Sequence, residues 1–145
     1  MKPHVQFFSE NIPLLIRGKR KLKRWIIQAV ENEGRTAGDI NIIVCDDAYL
    51  SQLNLKYLKH KSLTDILTFT FDDECGRVSG DIFISLPRVR ENAVKFGQDP
   101  NDELHRVMIH GVLHLTGYTD KSPKEKQNMH EREDFYLSLF NTPDN

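Results

Sequence analysis

The chain has 145 residues, 39% of them hydrophobic and 28% charged, values that suit one globular domain spanning 1–145 and exclude a disordered or disulfide-dependent polypeptide. Its net charge of −1 and isoelectric point of about 6.6 give no general attraction to nucleic acid. No apolar run approaches the roughly 18 to 20 residues that cross a bilayer, and no charged-then-apolar leader opens the sequence, so a membrane is not an expected partner. Cys45 and Cys75 stand far apart, in or beside strand-like segments, as small buried residues or inert thiols; a reducing compartment, the cytoplasm, is expected.

Val5 to Phe8 reads as a short strand, followed by an irregular segment around Pro13. A helix comes next, with Leu22, Ile26, Ala29 and Val30 at three- and four-residue spacing, Trp25 flanking that stripe and Gly34 as the stop. Arg17, Lys19, Arg20, Lys21, Lys23 and Arg24 form a dense basic run at its N-terminal end, while Glu31 and Glu33 stand at the other. The helix dipole disfavours that order of charges, so Arg20, Lys21, Lys23 and Arg24 are candidates to hold phosphates; a solvated charged face is the plainer alternative. Ile40 to Cys45 is a β-branched strand, and Asp46 or Asp47 then caps a helix carrying Leu50, Leu53 and Leu55. Lys56, Lys59, His60 and Lys61 make a second cationic cluster.

Ile66 to Phe71 and Val78 to Ser85 flank a turn-forming run and predict a hairpin. Ser85 with Pro87 opens a helix to about Gly97 that buries Val89, Ala93 and Phe96. Pro100 resets the chain for a helix from Asp102 to Thr116, and the capping box at Ser122 to Glu125 starts a last helix from Pro123 to about Phe140. Interleaved strands and helices with one hairpin predict an α+β fold: a mixed sheet of four strands or slightly more, packed with about five helices.

The helix ending at Thr116 carries the chemistry. His110 and His114, one turn apart, can offer two imidazoles to one ion, and apolar Val112, Leu113 and Leu115 suit the wall of a site. Gly117 stops the helix cheaply, and a chain turned back there can bring Asp120 to the same ion. Two imidazoles and a carboxylate would leave Zn2+ one open position, as in a catalytic site. In metalloproteases a glutamate general base follows the first histidine; Gly111 stands there and cannot take a proton. Glu103, about two turns before His110, can accept from an imidazole N–H or pair with Arg106. His105 and His130 lie off the ligand spacing and read as surface or internally satisfied side chains.

The run His110-Gly111-Val112-Leu113-His114-Leu115-Thr116-Gly117-Tyr118 resembles the signature of the YbeY family, bacterial metal-dependent endoribonucleases of ribosomal RNA maturation. Leu53-Asn54 with Tyr57, Thr64 to Phe69, Gly80 to Ser85, Glu103-Leu104, Met129 and Glu133 extend the likeness from Leu53 onward. Two positions depart from it. Asp120 stands where the family usually has a third histidine, which tilts the site towards ions that favour oxygen. Leu58 stands where an arginine is common; if that arginine steadies a phosphate, its role is either vacant here or passed to Lys59, His60 or Lys61.

The resemblance implies one ion, metal-activated hydrolysis of phosphodiester bonds in RNA, and partners among ribosomal RNA, the small ribosomal subunit or its associated factors, with no DNA expected. Lys59, His60 and Lys61 are then the candidates to neutralise charge on the reacting phosphate, and either His60 or Asp120 could serve as general base. A non-catalytic ribosome-associated zinc protein and a zinc-dependent peptide hydrolase are the rival readings.

Overall fold

Alternation of side chains along two central strands decides how the layers stack. The computed structural model describes residues 2–13, 16–58, 64–71 and 73–142. Strands β1 (His4–Glu10), β2 (Ala37–Cys45), β3 (Ile66–Thr70) and β4 (Val78–Ser85) form one sheet in the order β1-β2-β4-β3. β1 and β2 are parallel, as are β2 and β4, whereas β3 runs antiparallel to β4. Helices α1 (Lys19–Asn32), α2 (Asp47–Leu53), α3 (Leu86–Phe96), α4 (Pro100–Thr116) and α5 (Pro123–Phe140) surround it, with a π-helical turn, Asn54–Leu58, after α2. The mixed sheet, the hairpin and the five helices match the pattern expected from the sequence.

Ile40 and Ile42 of β2, with Ile82 and Ile84 of β4, face the main core, where they meet the apolar sides of α1, α4 and α5. Alternate residues Cys45, Leu67, Phe69 and Phe83 face the other way, onto a smaller cluster with Leu50 and Tyr49 of α2. Because α4 lies in the main core, every residue from Val107 to Leu115 is buried or half-buried. A Cβ on Gly111 would stand 2.7 Å from Ile82 Cγ2 and 3.0 Å from Ile66 Cδ1. Glycine at this position therefore lets the helix backbone sit close against β3 and β4, a role the sequence alone did not reveal.

Several boundaries differ from expectation for local reasons. β1 and β2 extend beyond the Val5–Phe8 and Ile40–Cys45 runs that announce them, β2 with a register irregularity between Ala37 and Ile40. α4 starts at Pro100, not Asp102, because the Asp99 carboxylate accepts from the backbone N–H of Asn101 at 2.8 Å and Asp102 at 3.4 Å. Proline thus opens this helix rather than delaying it. Leu55, on the wider π-helical turn, is exposed, and so is Phe96, since the surface that buries Val89 and Ala93 does not reach the last turn of α3.

Candidate metal centre

One helical turn separates His110 from His114, and their Nε2 atoms face each other at 2.9 Å. Asp120 Oδ2 lies 3.3 Å from His110 Nε2 and 3.4 Å from His114 Nε2. A tetrahedral ion with bonds of about 2.0 to 2.1 Å spaces its donor atoms by roughly 3.3 Å, so the triangle fits. The side chains are 22%, 23% and 40% exposed, which leaves one side open to solvent. Among the described residues this is the one group of three or more potential ligands that converges in this way.

The turn after α4 explains why Asp120 arrives. Gly117, with φ 117°, donates its N–H to His114 O at 3.1 Å, and Tyr118 N–H reaches Leu113 O at 3.1 Å. These are the two bonds of a Schellman motif, which ends the helix and redirects the chain. The same turn aims the Tyr118 carbonyl back at His114, whose Nδ1–H donates to it at 3.0 Å. That bond commits the proton to Nδ1 and leaves the Nε2 lone pair facing the centre. The Tyr118 hydroxyl donates to Glu33 Oε1 at 2.7 Å, tying the turn to the end of α1.

His110 is held from a different element. Its Nδ1–H donates at 2.6 Å to Glu133 Oε2 on α5, while Arg106 donates to Glu133 Oε1 at 2.9 Å and to Asp134 at 2.5 Å. The expectation that Glu103 accepts from the imidazole is thus corrected: Glu133 occupies that position, and Arg106 pairs with α5 rather than with Glu103. Burial opposes charging of His110, but the Glu133, Asp120 and Asp65 carboxylates outweigh it and raise its pKa above the usual histidine value. In the sequence, Glu133 stands out only through the family resemblance. Its physical signal was a carboxylate on the Met129, Glu133, Tyr136 stripe that α5 buries, where an unpaired charge would be costly.

The remaining candidates separate by position. Lys59, His60 and Lys61 lie outside the described residues, as does the side chain of Leu58. Arg20, Lys21, Lys23 and Arg24 occupy the first turns of α1, whose 14 residues span about 20 Å, and it is the other end of α1 that touches Tyr118. The basic run therefore stands away from the histidines. Lys21 Nζ lies 4.5 Å from the Phe140 ring centre. His105 packs against Phe140 and Trp25, with burial lowering its pKa, and His130 is an exposed neighbour of Asp134. Cys45 is buried, donates to Ile84 O at 3.4 Å and has a pKa pushed up to about 12 by burial and nearby carboxylates; Cys75 is exposed and both are free thiols.

A model of the family described as "Endoribonuclease YbeY" matches residues 9–141. The chain belongs to the YbeY family. It is 44% identical to Endoribonuclease YbeY of Christiangramia forsetii over 140 residues, 96% of each chain. With the YbeY of Cytophaga hutchinsonii it shares 43% identity over 135 residues, 93% of this chain and 94% of the other. The solution structure of a Thermotoga maritima protein matches with a TM-score of 0.63 at 29% identity, covering 94% of this chain and 88% of that one. Within this YbeY chain, the His, His and Asp donors and the two groups that orient the imidazoles form a set chemically suited to a divalent ion.

Proposed function

We propose that this chain is a metal-dependent endoribonuclease directed at single-stranded RNA. It acts in the cytoplasm on ribosomal RNA during ribosome maturation and quality control, with one Zn2+ ion as cofactor. The observation that carries this reading is the convergence of His110 Nε2, His114 Nε2 and Asp120 Oδ2 within 3.4 Å on an open face of a YbeY-family chain.

Bound by these donors, the ion supplies Lewis acidity to a phosphate oxygen and lowers the pKa of water towards about 7. The protein supplies placement. Glu133 and the Tyr118 carbonyl fix both rings with their lone pairs towards the centre, and Asp120 adds a negative oxygen donor that a third imidazole would not. Three protein donors leave room for substrate, which a closed four-ligand structural zinc site does not. Gly111 supplies no carboxylate next to the first ligand, which disfavours peptide hydrolysis of the usual metalloprotease kind. The basic run on α1 holds RNA backbone at a distance from the cut, and the small ribosomal subunit or its associated factors present the strand.

Metal analysis with a cleavage assay on structured ribosomal RNA tests the proposal. The wild type should carry about one zinc per chain and cleave in a metal-dependent manner; His114→Ala should lose both properties. Equal cleavage by the two proteins would mean a contaminating nuclease and end the reading.

A further inference from the structure

Beside the metal centre, Asp65, Glu103, Arg106, His110 and Glu133 line a cavity of about 140 Å3, with Ile66 and Val107 as apolar walls. By liquid volume that is room for about four or five waters, the scale of one flat ring rather than a whole nucleotide. Its polar groups are unevenly matched. Glu133 is satisfied by Arg106 and His110, and Asp65 accepts from Asn92 Nδ2 at 3.4 Å. Glu103 is only 8% exposed and has no hydrogen-bond or ion-pair partner among the described residues. Its carboxylate oxygens open onto the cavity, near the Arg106 charge, where water or a ligand can satisfy them.

The chemistry of the walls narrows that ligand. Phosphate is repelled by three carboxylates. Chelation of a second cation is disfavoured because no set of three carboxylate oxygens here converges within ligating reach, and the Arg106 guanidinium forms part of the wall. Direct proton transfer at the metal centre is also unsuitable, because Glu103 stands about two turns, roughly 10 Å along α4, before His110. A neighbouring nucleotide of a bound strand can span such a distance. A carboxylate offers two acceptor oxygens, and among the standard bases guanine alone carries two adjacent N–H donors on its Watson–Crick edge. Uracil flanks its single donor with carbonyls, while adenine and cytosine set an acceptor beside their amino group.

Resting on the nuclease reading, we infer that this cavity is a base-recognition subsite in which Glu103 accepts the Watson–Crick edge of a guanine near the cleaved phosphodiester. Glu103 is thus a specificity-determining residue rather than a structural partner of His110. Ile66 and Val107 supply apolar contact, and Asp65 lines the same cavity.

Oligouridines with one central guanosine, inosine or adenosine test this. Affinity is read by fluorescence anisotropy in chelator, and kcat/KM with the metal-loaded enzyme. Wild type should favour guanosine over adenosine by about tenfold or more, with inosine, which lacks the amino group, between them. Glu103→Gln should bring the guanosine-to-adenosine ratio close to one. Equal wild-type affinities, a ratio that survives in the variant, or Glu103-dependent uptake of a second Mn2+ per chain would each overturn the assignment. If nothing is cleaved, the nuclease reading fails while the affinities still decide this one. If every strand is cleaved but bound alike, the nuclease reading stands and this one falls.

Discussion

Glu133 divides its two oxygens between different partners, one receiving His110 Nδ1–H and the other the Arg106 guanidinium. That arrangement keeps a buried carboxylate paired while it fixes the orientation of a ligand. Glu133→Gln should therefore lower metal affinity by about 10- to 100-fold even though all three donors remain. Competition with a chromophoric chelator measures this, and an affinity equal to wild type would deny Glu133 its orienting role. The donors themselves were legible in sequence because everything that places them is local: a helical period, a glycine stop and a short return. Glu133 and the Tyr118 carbonyl were not, since one comes from a separate helix and the other is a backbone atom whose direction appears only with the turn.

Among the elements, α4 shows a local preference yielding to packing. Glycine in a helix interior is disfavoured by about 1 kcal/mol relative to alanine, yet Gly111 sits in the middle of α4 because a Cβ there would meet Ile82 at 2.7 Å. Overpacking of this kind costs about 1 to 3 kcal/mol. Gly111→Ala should accordingly lower stability, its gain in helix propensity notwithstanding, and should displace the histidines from the sheet. Urea denaturation checks the first effect and zinc affinity the second; a more stable variant would show that the helix has room to spare.

The same contrast explains which element boundaries could be read. Caps such as Ser85 and Ser122 accept from backbone N–H groups three residues ahead, a signal written in adjacent residues. The exposure of Leu55 and Phe96 depends on where neighbouring elements end, which periodicity cannot reveal. Gly111 was read only as a residue unable to act as a base, because its close approach to β3 and β4 is a tertiary fact.

Across the whole molecule, Glu33 at the end of α1 connects that helix to α5 and to the site turn. It accepts from the Tyr118 hydroxyl after α4 and from Arg132 and the Tyr136 hydroxyl on α5. Burial alone would raise its pKa, but the Tyr136 and Tyr118 hydroxyls and Arg132 reverse that effect and hold it below the usual carboxylate value. Because the folded value is depressed, the stabilisation is present above the unfolded value of about 4.3 and is lost as pH falls through the lower folded one. Urea midpoints at pH 6 and pH 3 should therefore separate more for wild type than for Glu33→Gln; equal separations would remove Glu33 from the acid response.

The distance between the basic end of α1 and the histidines gives a second prediction at this scale. Neutralising Arg20, Lys21, Lys23 and Arg24 together should weaken RNA binding and flatten its dependence on salt, raising KM far more than it lowers kcat. An unchanged salt slope, measured by anisotropy across a salt series, would return that run to the role of a solvated face.

Holding His110 from α5 also ties the order of the centre to the seating of the last helix. The three donors stand close together in sequence, from His110 to Asp120, whereas the carboxylate that steadies the first ring belongs to α5. Without α5 in place the His110 ring would have no carboxylate to fix its rotation, and an ion held there would meet a less ordered set of donors. Any movement of α5 away from α4 would therefore loosen an ion at the centre, although none of its three donors lies on that helix.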